Sequence, residues 1–223
     1  MLSNPIVRFL VVAVTYYLSG RMGLSLASFA DQVTLIWPPT GIAVFALLIW
    51  GPRMWPAIWI AAFLINLPLG TSVIASLAIA TGNTIGPLLA VYLLKKHQFA
   101  LSFSTTRDGL LFVLYAVVLS MAVNATVGCS TLMLDGVLPA TVFQKVWLTW
   151  WLGDALGVLL FGSALITLNN QRSNPYLSSD YTRPEAEIAW AGVLLVGSMS
   201  LTPLSVFSNG LPPMLAFPFV VCL

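Results

Sequence analysis

Charge is scarce in this sequence. Lys and Arg together number 9, Asp and Glu 7, and charged residues make up 7% of 223, against about 25% in soluble domains. So few ionised groups cannot cover a soluble protein of this size, so a water-soluble globule is excluded. There is one histidine, His97, and there are two cysteines, Cys129 and Cys222. That excludes a histidine–cysteine metal cluster and a disulfide framework. Both cysteines lie within apolar runs and read as small core residues. No phosphate-cradling glycine loop, dinucleotide fingerprint or nucleophile elbow occurs. We therefore expect no catalysis, cofactor or metal in this chain. Its basic residues are scattered between apolar runs, so nucleic acid is not an expected partner. The first apolar run lacks a small-residue cleavage site and is too long for a signal peptide core.

What the sequence has instead is apolar length. Hydrophobic residues reach 59% and come in long runs rather than in alternation. Such runs predict membrane-crossing helices, each needing about 20 residues for a hydrocarbon core of about 30 Å. The polar breaks place spans at about 6–27, 36–51, 55–69, 72–94, 109–133, 145–168 and 187–207. An eighth run starts near Leu211 and is still apolar at Leu223. The expected fold is all-α: a polytopic transmembrane helix bundle with seven complete spans plus a truncated eighth. One domain, 1–223, is expected, read as a module of a longer chain.

Orientation follows from basic residues. The N-terminal side receives Arg8, Arg53, Lys95, Lys96, Arg107, Arg172 and Arg183; the other side receives only Arg21 and Lys145. The positive-inside rule then makes the N-terminal side cytoplasmic.

Proline punctuates the spans. "Trp37-Pro38-Pro39", "Trp55-Pro56" and "Leu211-Pro212-Pro213" each precede an apolar run. Proline suits the first helical turn, where its missing N–H has no partner to lose.

The informative residues are polar ones at membrane depth. Asp154, in "WWLGDALG", falls near the middle of the sixth span, where a charge costs about 2.5–3.5 kcal/mol on insertion scales. Asn83, Asn124, Asn66 and Arg21 also fall within spans, in the outer half or near the midplane. That asymmetry predicts a pocket open to the exterior, with Asp154 at its floor and Trp151 at its wall. Asn83 and Asn124 would supply hydrogen bonds and Trp37 would hold the rim. A small cationic or hydrogen-bond-donating molecule, or a proton, suits such a floor. Arg21 and Asp154 are also expected to pair. A competing reading makes the asparagines interhelical glue. "Gly82-Asn-Thr-Ile-Gly86" and "Gly153-Asp-Ala-Leu-Gly157" are both GxxxG, which permits close backbone approach. On that reading the fourth and sixth spans touch, with Asn83 bonded to Asp154.

Four segments in order carry a resemblance: "LIWPPTGIAVFALLIWGPRMWPAIWIAAFLINL", "GNTIGPLLAVYLL", "WWLGDALGVLLF" and "PPMLAFPFVV". Together they resemble the bacterial membrane-associated sensor domain of the first type, the MASE-one family, from about Val7 to the end. The resemblance implies an inner-membrane module of about eight helices, fused to a cytoplasmic histidine kinase, diguanylate cyclase or phosphodiesterase. It implies a homodimer by analogy with such effectors. It makes Trp37, Pro38, Gly41, Pro56, Asn66, Asn83, Trp151 and Asp154 candidate motif positions. A small-solute transporter, or the membrane substrate-binding subunit of one, is the alternative, but no internal repeat supports it.

Overall fold

The computed structural model describes residues 4–25 and 36–173. Six helices run through them: α1 (Pro5–Leu24), α2 (Pro38–Ile49), α3 (Trp55–Asn66), α4 (Val73–Lys96), α5 (Thr106–Leu134) and α6. The last opens with a 3₁₀ turn at Ala140–Val142 and continues through Phe143–Leu156, Gly157–Gly162 and Ser163–Ser173. No strand occurs among the described residues.

Local chemistry sets the boundaries. Asn4 caps α1, its side-chain oxygen accepting from the Ile6 N–H at 2.9 Å, and Pro5 takes the first helical position. Pro38 and Pro39 open α2, and Gly51, at φ 93°, follows its end. Ser72 caps α4 by accepting from Ala75 N–H at 3.1 Å. At the start of α5, the Asp108 N–H donates to Thr105 Oγ1 at 3.2 Å.

Three helices are long and apolar enough to cross a membrane: Val73–Lys96, Thr106–Leu134 and Ala140–Gln171. The chain also folds α2 and α3 into helices of 12 residues each. At 1.5 Å per residue each is about 18 Å long, well short of a bilayer core. These two fall short of the complete spans expected, because prolines and glycines break both ends of the segment. The seventh and eighth expected spans lie outside the described residues.

Two of the long helices are not α-helical throughout. Residues Phe112–Leu119 of α5 and Gly157–Gly162 of α6 are π-helical. Ser120 Oγ donates to Tyr115 O, five residues back, at 2.6 Å. In the same region the Trp151 indole N–H donates to Val118 O at 3.0 Å. Such widened turns shift the face a helix presents and are frequent at functional sites.

Three apolar clusters hold the helices together. The first joins α1, α2 and α3 to α4 through Val12, Tyr16, Leu47, Ile58, Ile65 and Val91. The second joins α2, α4, α5 and α6 through Val44, Leu94, Phe112, Met121 and Val158. The third joins α4, α5 and α6 and includes Cys129, the small core residue expected. Outside, α1 exposes Ile6, Leu10, Val14, Leu18 and Met22 at four-residue spacing. An apolar exterior of this kind suits lipid, not water.

A polar tether joins two connections at one end of the bundle. Asp135, just past α5, accepts from the Ser72 N–H at 2.9 Å and the Ser72 hydroxyl at 2.5 Å. The hydroxyl and then the amide hold its carboxyl below the usual carboxylate range. A lowered folded value stabilises the tether above the ordinary carboxylate pKa, and the benefit is lost as pH falls through the lowered value. Because Asp135 is only partly buried and open to solvent screening, the global effect is small. Asp135→Ala is expected to speed amide exchange in the 71–76 segment while barely moving the melting temperature. Unchanged exchange there would show that the tether contributes no local stability.

Candidate functional site

The site is built on α6. Its buried positions Val146, Trp150, Gly153, Asp154, Gly157 and Val158 recur at three- and four-residue intervals, so they share a face. Trp147 and Trp151 lie on a neighbouring face and stack at 6.1 Å. Trp150, not Trp151, turns inward, and its ring lies against Gly128 of α5, where an added Cβ would come within 2.5 Å of it.

Asp154 is fully buried, at 0% exposure. Its Oδ2 accepts from Asn124 Nδ2 at 2.5 Å, and its Oδ1 has no hydrogen-bond partner. Asn124 sits on α5 at 1% exposure, where Gly82 and Gly86 of α4 admit it. A Cβ at Gly82 would lie 3.3 Å from Asn124 Oδ1, and one at Gly86 would lie 3.1 Å from Asn124 Cβ.

The start of α2 completes the enclosure. The Trp37 N–H donates to Gly153 O at 2.9 Å. Thr40 Oγ1 lies 2.7 Å from Trp37 O and 3.2 Å from Asp154 O, placed to donate to either. Gly157 lies so close that its Cβ would stand 2.0 Å from Trp37 O, and a Cβ on Gly41 would stand 2.3 Å from Gly157 O. "WPPTG" is therefore a docking element as well as a helix start. Tyr16 of α1, at 0% exposure, stands within electrostatic reach of Asp154 and beside Trp37.

Four expectations change. Arg21 does not pair with Asp154. Tyr16, Gly20 and Gly23 form the inner face of α1, and Arg21, one residue past Gly20, is rotated about 100° from it and exposed. The two GxxxG segments do not meet each other. Gly82 and Gly86 pack on α5, whereas Gly153 and Gly157 pack on α2. The bond to Asp154 accordingly comes from Asn124, not Asn83. Finally, Asp154, expected at the floor of an open pocket, lies at 0% exposure among the described residues, with the start of α2 packed on Gly157 of α6.

Of the candidate residues, the fold brings Trp37, Asn124 and Asp154 together. Asn83 is buried on α4 at 2% exposure, with no partner for its Oδ1. Trp151 is spent on Val118 O. Asn66 bonds Ala62 O in its own helix at 2.8 Å. Sequence reading missed Tyr16 and Thr40, and it chose Trp151 rather than Trp150 as the ring beside Asp154. Tyr16 and Thr40 were visible as hydroxyls in apolar segments; choosing Trp150 over Trp151 needed the rotation of α6.

The arrangement gives a buried carboxylate, an amide and a phenol at the crossing of α1, α2, α5 and α6, next to a π-helical turn. No metal-binding group of three or more His, Cys, Asp or Glu occurs among the described residues. No curated protein and no solved structure matches the chain. The family model named MASE1, a membrane-associated sensor domain, matches residues 8–223, nearly the whole length. A helical membrane chain with a polar knot in its apolar interior, matched from Arg8 to Leu223, belongs to the MASE1 family of membrane-associated sensor domains.

Proposed function

We propose that this chain is the signal-input module of a bacterial inner-membrane signalling protein. Its output would be a cytoplasmic histidine kinase, diguanylate cyclase or phosphodiesterase, working as a homodimer. The N-terminus and the 169–187 segment would face the cytoplasm, in keeping with the distribution of Lys and Arg. The signal would arrive from the periplasmic side and act on Asp154, Asn124, Asn83 and Trp37, with Trp151 linking α6 to the π-helical turn of α5.

One observation carries this reading. Asp154, with a free buried oxygen, lies three residues before the π-helical turn at Gly157–Gly162. A group that gains a partner there changes the local preference for one helical register over another. A signal needs such a two-state element, because a ligand shifts an equilibrium only through differential affinity for its two states.

Joining the chain in frame to a diguanylate cyclase reporter tests the reading. Asp154→Asn and Asn124→Ala are expected to change product formation by on the order of 5- to 150-fold at equal membrane abundance. Unchanged output from both variants would sink it.

A further inference from the structure

Among the described residues, four buried side-chain oxygens have no hydrogen-bond partner within ordinary distance: Asn83 Oδ1, Asn124 Oδ1, Asp154 Oδ1 and Tyr16 Oη, the last with the Trp37 side chain beside it. All four can accept, and native interiors leave few such atoms unmatched. The one internal bond decides what remains open. Asn124 Nδ2 and Asp154 Oδ2 are committed to each other at 2.5 Å, so the Asn124 amide turns its nitrogen to the carboxylate and its oxygen toward Gly82 of α4. Asn83 is the next residue of α4. Tyr16, on α1, is buried within electrostatic reach of Asp154. These oxygens are acceptors, and the side chains that act on the Asp154 carboxyl, Asn124, Thr40 and Trp150, are all uncharged.

We propose that Asp154 and Asn124, with Tyr16 and Asn83 beside them, form a binding site for one small dehydrated alkali cation, of the sodium class. This deepens the input-module reading and rests on it for its role in signalling. Hard oxygen donors suit a hard cation rather than one that prefers nitrogen or sulfur. A single carboxylate balances a single positive charge, whereas calcium sites gather several carboxylates. An organic ammonium needs volume, and Asp154 and Tyr16 at 0% exposure, beside glycine-tight backbone contacts, leave little. A proton would supply a donor for one acceptor only; a metal ion can contact several oxygens at once. Occupancy would draw Asp154 Oδ1 toward α1 and α4 and load the π-helical turn that follows.

The test is thermal unfolding of the purified chain in detergent, at fixed pH and ionic strength, in sodium, lithium, potassium or choline chloride. Sodium is expected to raise the Tm over choline saturably, by about 3–6 °C at tenfold above half-saturation. Asp154→Asn is expected to abolish that increment, and Tyr16→Phe to move its half-saturation upward. Should Asp154→Asn fail to fold, sodium titration of the wild-type tryptophan fluorescence against choline replaces it, with a saturable sodium-specific change expected. Identical behaviour in all four salts overturns the proposal, as does a sodium increment that survives in Asp154→Asn. A Tm that rises only on acidification, without difference between salts, overturns it in favour of a proton. Those failures would leave the reporter result, and the input-module reading with it, standing.

Discussion

Gly157→Ala is expected to cost about 3 kcal/mol of stability and to lower the Tm by on the order of 10 °C. The added methyl would stand 2.0 Å from Trp37 O, 2.6 Å from Thr40 Oγ1 and 2.7 Å from Trp37 C. Two of those three atoms are backbone, so no rotamer change relieves the clash. Helix α2 would have to move off α6, losing the Trp37 N–H to Gly153 O bond and uncovering Asp154. Gly41→Ala should behave alike, since its methyl would meet Gly157 O at 2.3 Å and the Gly162 nitrogen at 2.7 Å. Gly109→Ala is the control. Nothing lies within 4 Å of its Cβ position, and it sits in the first helical stretch of α5. That change should stabilise by up to about 1 kcal/mol, the usual gain from alanine over glycine in a helix. Thermal unfolding followed by size-exclusion in detergent measures all three. A Gly157→Ala protein as stable as wild type would mean that α2 does not dock on α6 as described.

Asn124→Ala is expected to destabilise by about 2–3 kcal/mol, because it strips the Asn124 hydrogen bond from a buried carboxyl whose other oxygen already lacks a partner. Asp154→Leu should cost less than this would suggest for so central a residue, since it removes the polar group that needs matching. The double variant Asn124→Leu/Asp154→Leu should be distinctly less than additive, with a coupling of about 0.5–3 kcal/mol. Arg21→Gln combined with Asp154→Asn should instead be additive within about 0.5 kcal/mol, as the two side chains do not meet. Strong coupling between Arg21 and Asp154 would restore the ion pair that the rotation of α1 denies. Additivity between positions 124 and 154 would dissolve the knot.

How far the residues alone carry this picture differs from feature to feature. The helices follow the apolar runs closely: 72–94 was expected and Val73–Lys96 is found, 109–133 was expected and Thr106–Leu134 is found. The starts of α2 and α3 were legible because Pro38 and Pro56 act through the nearest turn of chain, which needs no tertiary partner; the caps Asn4, Ser72 and Thr105 act in the same local way but were not read from the sequence. The two π-helical turns were not legible. Their widened register answers packing between helices distant in sequence, as in the Trp151 bond to Val118 O.

Asp154 and Asn124 stood out in the sequence because polar groups at membrane depth are costly, and cost is a property of one residue and its depth. Which groups share the cost is a property of helix rotation. A step of one residue turns a side chain by about 100°, enough to send Arg21 outward while Gly20 faces in, and to choose Trp150 over Trp151. Likewise both GxxxG segments announced close contacts without naming the partner, because a missing Cβ marks a surface and not what lies against it. Composition and apolar length by themselves determined a helical membrane protein with a buried carboxylate to satisfy. Only the packing of α2 on α6 and α4 on α5 decided that Asn124 satisfies one carboxylate oxygen and that the other is left open.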